Sequence, residues 1–137
     1  MHHKLLIIVF TLLALMAMPA LARQAIPIIN YDNTSVVNAK KLSSAQVLQA
    51  IKLAAGKQHW IITHEENGVV TASILVRQKH TVVVSIQYNA ENYSIHYKDS
   101  SNMKYEKKKD GSEVIHPFYN KWVGALNDAI RLELSKL

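Results

Sequence analysis

The 137-residue chain contains no cysteine, only four glycines and only three prolines. Without cysteine it has no disulfide framework, no thiolate ligand for zinc and no residue that could carry a lipid anchor at its N-terminus. No two glycines are close together, so there is no glycine-rich phosphate-binding loop. A domain of this size must then be stabilised by packing alone, and its Val, Ile and Leu content can supply that packing.

Acidic residues are also in the minority. Sixteen Lys and Arg residues face ten Asp and Glu residues, and of the basic residues only Lys4 precedes Arg23. Part of the excess is the basic run Lys107, Lys108 and Lys109. Such a run is compatible with affinity for polyanions such as cell-wall polymers or lipid headgroups, although a solvated loop is the simpler explanation. No nucleic-acid-binding motif accompanies the charge, so nucleic acid is not a predicted partner.

The start of the chain is typical of a secretory signal peptide. A basic N-terminus is followed by the apolar run 5–18 and by Pro19-Ala-Leu-Ala22, which ends in an A-x-A cleavage site. The apolar run is shorter than the roughly 20 residues that a membrane span needs. We therefore predict a signal peptide over 1–22 and no transmembrane segment after its cleavage. The exported protein would reside in the periplasm or be secreted, and a small exported domain without cysteine favours a bacterial envelope.

The remaining chain divides into two parts. Residues 23–42 are irregular in composition, and Pro27 within an apolar stretch predicts an extended edge segment. We interpret residues 23–42 as an N-terminal arm that lies against the domain or is mobile. Residues 43–137 are predicted to form a single α+β domain.

The centre of this domain predicts four strands, at 60–65, 69–77, 81–88 and 93–98. Asn67-Gly68 between the first two is a strong hairpin signal. A capping box at Ser43–Gln46 begins a helix for which Gly56 is the expected left-handed stop, and Pro117 opens a second helix. The predicted fold is a two-layer sandwich of order α-β-β-β-β-α. Both helices would cover one face of a four-stranded antiparallel meander.

The strand register predicts an apolar patch on the other sheet face. A two-residue turn at Asn67-Gly68 places Ile61 opposite Ile74 and leaves one face largely polar. Four apolar residues nevertheless fall on that polar outer face, namely Trp60, Ile62, Leu75 and Val83. An apolar patch on an open sheet face indicates a cover or a partner. The cover would be the arm segment Ala25–Ile29; the partner would be another protein or a second copy of this chain.

The sequence offers little support for catalysis. The histidines that follow residue 22 show no metal-ligand spacing. The register places Ser73, Ser85 and His96 in one row, where Ser85 and His96 resemble a nucleophile and its base. An open sheet face supplies no oxyanion hole, and no carboxylate is expected to orient His96. We therefore predict no catalytic, cofactor-binding or metal-binding residues.

Three segments carry a resemblance. They are Val76–Tyr88, Tyr93–Ser100 and Ile115–Val123, the last with the stretch Tyr119-Asn-Lys-Trp122. Together they resemble a family of short bacterial exported proteins and lipoproteins of uncharacterised function. The resemblance implies export and a single small domain, and it brings no activity or site residues.

These observations predict a small exported binding or accessory module of the bacterial envelope, without enzymatic activity. Its partner would bind the outer sheet face at Trp60, Ile62, Leu75 and Val83. Three alternatives stay open. They are a secreted factor that acts on a host or competitor target, a polyanion binder using Lys107, Lys108 and Lys109, and a hydrolase centred on Ser85 and His96.

Overall fold

The computed structural model describes residues 23–137, so the predicted signal peptide over 1–22 lies outside the described residues. The described chain is an α+β fold with two helices and antiparallel sheets. Its elements in chain order are β1 Ile26–Pro27, β2 Tyr31–Ser35, α1 Ser44–Lys57, β3 Ile61–Glu66, β4 Val69–Val76, β5 His80–Tyr88, β6 Asn92–Ser101, β7 Glu106–Lys107, β8 Glu113–Ile115 and α2 Phe118–Ser135.

The described strands form two sheets, and the prediction of one four-stranded sheet is wrong. The predicted meander is present as β3 to β6, but β2 pairs with β6 and extends it to five strands in the order β2-β6-β5-β4-β3. A second, three-stranded sheet has the order β1-β8-β7. Both additions come from short strands of two to five residues. The alternating pattern of longer strands is too brief to recognise in such segments.

The start of α1 is as predicted, whereas its end is not. Ser43 Oγ accepts a hydrogen bond from the Gln46 N–H at 3.2 Å, and the Gln46 side chain accepts one from the Ser43 N–H at 2.9 Å. The helix continues through Gly56 to Lys57, and His59, with a φ of 65°, takes the left-handed conformation instead. The Trp60 N–H then donates to the Ala55 carbonyl at 2.8 Å. This bond closes the helix end and turns the chain into β3.

A β-bulge in β3 changes the predicted register. Glu66 pairs with Val69 as predicted, and His64 pairs with Thr71. Ile62 pairs with Ala72, so Thr63 is an extra residue without a partner of its own. An extra residue reverses which side of the sheet the preceding residues face.

The bulge moves Trp60 into the core and Ile61 out of it. Trp60 is 3% exposed, whereas Ile61, which pairs with Ser73 and not with Ile74, is 69% exposed. Ile62 is partly buried against the core. The predicted positions of Trp60 and Ile62 on the outer face are therefore wrong. Leu75 is on that face and is 55% exposed.

The core is one continuous cluster that joins the inner sheet face to both helices. In its middle, the buried Tyr93 of β6 donates a hydrogen bond to Asn127 Oδ1 of α2 at 2.6 Å. The fully buried aliphatic residues of the sheet are Val70, Ala72, Val82, Val84, Ile86 and Ile95, and those of the helices are Val47, Ala50, Ile51, Ala54, Ala55, Val123, Leu126, Ile130 and Leu134.

The arm segment Ala25–Ile29 lies against β8 and α2, so it is not the cover of the outer face. In the second sheet Ile26 pairs with Ile115. The Asn120 side chain of α2 makes two further bonds to the arm: its Oδ1 accepts from the Ile29 N–H at 3.0 Å, and its Nδ2 donates to the Pro27 carbonyl at 3.0 Å. Within residues 23–137, no helix is long and apolar enough to span a membrane.

Candidate functional site

Four segments far apart in sequence meet at one end of β5. His80 Nδ1 lies 2.8 Å from the Asn102 carbonyl oxygen, and the His116 N–H donates to the Met103 carbonyl at 2.8 Å. Lys104 Nζ donates to the Arg23 carbonyl at 3.4 Å. We call the residues that gather here the basic-aromatic cluster; its members are Arg23, Arg77, His80, Lys104, His116, Phe118, Lys121 and Trp122.

A small cavity lies within this cluster. Its volume is about 90 Å³, and it is lined by Val76, Arg77, His80, Phe118, Lys121 and Trp122. Sites for whole drug-sized molecules measure about 300–1,000 Å³, and one water occupies about 30 Å³. The cavity therefore matches a single chemical group, such as the end of a larger molecule.

Aromatic rings form the apolar wall of the cavity. The Phe118 and Trp122 rings, one helical turn apart on α2, have centroids 5.7 Å apart. The Trp122 ring centroid lies 6.3 Å from that of His80, and the Phe118 ring centroid lies 4.7 Å from that of His116. The rings hold one another in place, because the Trp122 ring contacts His80 of β5 and the Phe118 ring contacts His116 just before α2.

Positive charge surrounds this wall. The Arg23 guanidinium lies 4.5 Å from the Phe118 ring centroid, and Lys121 Nζ lies 5.9 Å from the same centroid. In the described part of the chain, no ion pair involves Arg23, Arg77, Lys104 or Lys121. Unneutralised cations next to a partly buried apolar surface attract anions.

The two histidines of the cluster, His80 and His116, each form a hydrogen bond through Nδ1. The Phe118 N–H donates to His116 Nδ1 at 3.0 Å, so neutral His116 carries its proton on Nε2. Burial lowers the pKa of His116, and the neighbouring charges of His80, Lys104 and Arg23 lower it further. His116 is therefore neutral at neutral pH and offers an Nε2–H donor. Its Nδ1 accepts the first free N–H of α2 and replaces the side-chain cap that Pro117 lacks.

The turn that carries Arg77 is strained. Arg77 and Gln78 have φ values of 56° and 55°, a left-handed conformation that residues other than glycine, asparagine and aspartate seldom adopt. The turn is closed by a hydrogen bond from the Lys79 N–H to the Val76 carbonyl at 3.1 Å. Strained backbone of this kind is concentrated at functional sites. Here it places an arginine at the edge of the cavity.

The structure does not bring the four predicted outer-face residues together. Leu75 and Val83 share that face, Val83 being partly buried, but Trp60 and Ile62 face the other way. Ile61 lies on the outer face near Leu75, where Trp60 and Ile62 were predicted. Its position follows from the pairing, since Ile61 pairs with Ser73, and Ser73 pairs with Val83.

The basic run lies elsewhere, in the hairpin between β7 and β8. Lys107 pairs with Glu113, and the turn after it is closed by a hydrogen bond from the Gly111 N–H to the Lys108 carbonyl at 2.9 Å. Ser112 donates to Asp110 within the same turn, which lowers the pKa of the Asp110 carboxyl. Lys107, Lys108 and Lys109 are exposed and do not line the cavity.

Ser85 and His96 are paired across β5 and β6 as predicted, but their row continues to Thr71 and not to Ser73. His96 Nε2 contacts the Asp32 carboxylate, a partner that the sequence did not indicate because Asp32 lies in the unpredicted strand β2. No hydrogen bond links the Ser85 hydroxyl to His96 among the described residues. Between residues 23 and 137, no group of three or more His, Asp or Glu side chains is arranged to hold a metal ion.

No protein-family model matches this chain, and neither a curated protein nor a solved structure is significantly similar to it.

Proposed function

We propose that this protein is an exported binding module that holds an anionic group of a larger molecule in the basic-aromatic cluster. One observation carries the proposal: a group-sized cavity has Phe118 and Trp122 as its wall, and Arg77 and Lys121, which form no ion pair within residues 23–137, at its edge. The same molecule can thus satisfy both surfaces, with its charge at the cations and its carbon atoms against the rings.

A phosphate ester fits this arrangement best. Its two or more charged oxygens can accept hydrogen bonds from several donors at once, and arginine matches that geometry with two parallel N–H groups. No carboxylate forms an ion pair with the cluster's cations in residues 23–137, so these charges are available to a ligand. Envelope lipids and cell-wall polymers both display phosphate esters, so either is a source of the ligand.

An NMR titration with inorganic phosphate tests this proposal. The chain has two tryptophans, Trp60 in the core and Trp122 at the cavity, so each gives one indole N–H signal. We expect phosphate to shift the Trp122 signal in a saturable way and to leave Trp60 unchanged, with chloride at equal ionic strength as control. If the Trp122 signal does not move, the proposal is wrong.

The two ligand sources are separated by vesicle sedimentation. Vesicles of phosphatidylcholine with phosphatidylglycerol present the phosphate as a lipid headgroup, whereas soluble glycerol phosphate presents it alone. Sedimentation that glycerol phosphate does not inhibit identifies a membrane surface as the ligand. Binding of glycerol phosphate without sedimentation identifies a soluble or polymeric phosphate. Fractionation of cells into periplasm and culture medium tests export and distinguishes an envelope module from a secreted factor.

The outer sheet face remains a second candidate site, for a protein partner. The observation that favours it is the exposure of Ile61 and Leu75, at 69% and 55%, next to Val83. Photo-crosslinking from position 75 in cells, with position 108 as control, tests it. An adduct with another protein at position 75 alone supports the candidate. If Leu75→Lys leaves that adduct unchanged when the probe is moved to position 61, the outer face is not the binding surface.

A further inference from the structure

The first described residue, Arg23, is held firmly beside the basic-aromatic cluster. Three residues later the chain enters β1, where Ile26 pairs with Ile115 and the Ile28 N–H donates to the Glu113 carbonyl at 3.0 Å. Asn120 adds its two hydrogen bonds to the same arm. This part of the arm is therefore attached to β8 and α2 from Ile26 onward, three residues after Arg23.

Both ends of the Arg23 residue contact the cluster. Its guanidinium lies 4.5 Å from the Phe118 ring centroid, and its carbonyl accepts from Lys104 Nζ at 3.4 Å. Backbone geometry keeps a residue's own nitrogen and carbonyl oxygen within about 3.6 Å of each other. The backbone nitrogen of Arg23 is therefore no more than about 7 Å from Lys104 Nζ.

Arg23 is also the first residue after the predicted signal peptide, which ends at Ala22. Hydrolysis of the Ala22–Arg23 peptide bond consumes one water, releases Ala22 with a carboxylate and leaves Arg23 with an α-ammonium group. A neutral amide with one donor becomes a cation with three donors. This change occurs in the residue whose side chain lies over the Phe118 ring, and that ring lines the cavity proposed to bind anions.

We propose that the mature amino terminus is itself part of the phosphate-binding site, so that export processing completes the site. This inference rests on the function proposed above. In the precursor, the Arg23 nitrogen is part of a peptide bond, so the α-ammonium charge is missing. The precursor therefore binds phosphate esters more weakly than the mature protein, and full affinity appears only after export.

Two forms of the mature chain, residues 23–137, isolate the charge. One has a free α-amino group at Arg23, and the other is acetylated there, which removes the charge and leaves every side chain in place. A third form carries Leu21 and Ala22 as an acetylated extension. Phosphate affinity is measured by the Trp122 indole shift, and thermal unfolding reports on the fold of each form.

We expect acetylation to weaken phosphate binding about fivefold, which is the size expected for one exposed charge pair. The extended form should bind no better than the acetylated one. Equal affinity of the free and acetylated forms overturns this inference and leaves the proposed function standing. Absence of binding by both forms overturns the proposed function and this inference with it. Sequencing the N-terminus of the exported protein is an independent check, since any start other than Arg23 contradicts the inference.

Discussion

The guanidinium of Arg23 lies over the ring of Phe118, with 4.5 Å from its central carbon to the ring centroid. This contact joins the start of the described chain to the first turn of α2. It places a cation on the same ring that Lys121 approaches from within the helix. The pairing of β1 with β8 and the Asn120 hydrogen bonds attach this segment, and the attachment brings the Arg23 charge to the basic-aromatic cluster.

Arg77→Asn should make the protein more stable and weaken phosphate binding. Asparagine is several-fold more common than arginine in the left-handed conformation that residue 77 adopts, so we expect the free energy of unfolding to rise by roughly 0.5–1 kcal/mol. The lost guanidinium reduces anion affinity. Urea unfolding and phosphate titration measure the two effects. Gln78→Asn is the control, because it should stabilise the turn and leave affinity unchanged; a less stable Arg77→Asn protein contradicts the prediction.

Tyr119→Phe should stabilise the protein. The Tyr119 hydroxyl is buried and has no hydrogen-bond partner among the described residues. An unsatisfied buried polar group is unfavourable, so its removal should raise the free energy of unfolding by about 1 kcal/mol. The matched variant Tyr93→Phe removes a hydroxyl bonded to Asn127 and should lower it by about 1–3 kcal/mol. If urea unfolding shows a higher free energy of unfolding for Tyr119→Phe and a lower one for Tyr93→Phe, the assignment is confirmed. A similar loss of stability in both variants refutes it.

Alkaline pH should destabilise the fold through the same tyrosines. Burial raises the pKa of Tyr93 to about 12, and burial also raises that of Tyr119. In the unfolded chain tyrosine ionises near pH 10. The stabilisation from keeping these hydroxyls neutral is complete below pH 10 and is lost as the pH rises toward 12. Urea midpoints should therefore fall above pH 10, and they should fall less steeply in Tyr93→Phe. Parallel pH profiles for the two proteins would falsify this explanation.

Acid should remove the contribution that ionised Glu133 of α2 makes to the stability of the fold. Glu133 is nearly buried and bonds to Lys57 Nζ at 2.5 Å and to Lys136 Nζ at 3.2 Å, and the bond to Lys57 is the main reason that its pKa is lowered. A lowered carboxyl pKa stabilises the fold above the unfolded-state pKa, and this stabilisation is lost as the pH falls through the folded-state pKa.

Lys57→Met should therefore lower the urea midpoint at pH 7, and this effect should diminish as the pH falls through the lowered pKa of Glu133. Lys52→Met is the control, because the partner of Lys52 is the more exposed Glu65. It should have a smaller effect at pH 7. An effect of Lys57→Met that persists undiminished in acid contradicts the role given to the ion pair.

The longer helices and strands could be predicted from the sequence, because the residue patterns that indicate them are local. The capping box at Ser43, the Asn67-Gly68 turn and the alternating apolar residues of β4 to β6 predicted α1, one hairpin and the core face of the meander. The bulge at Thr63 carries no such signal, and it alone reversed the positions of Trp60 and Ile61. Strands as short as β1 and β8 form because they pair with each other, which no local pattern reveals.

The candidate site was harder to predict for the same reason. Phe118, Lys121 and Trp122 are spaced so that they share one face of a helix, and that spacing was visible. Their partners Arg77 and His80 lie about forty residues earlier, in a turn without glycine or asparagine. Only the tertiary fold brings them together. The basic run Lys107–Lys109 was the more obvious signal, although it lies in a separate exposed hairpin.

The most direct test of the account compares two variants of equal charge. Arg77→Gln with Lys121→Gln removes two positive charges at the cavity, and Lys108→Gln with Lys109→Gln removes two from the hairpin. Any effect of net charge alone is the same in both proteins. We predict that phosphate titration followed at the Trp122 indole shows at least tenfold weaker binding for the cavity variant and near-normal binding for the hairpin variant. Equal losses, or a larger loss in the hairpin variant, would contradict the basic-aromatic cluster as the binding site.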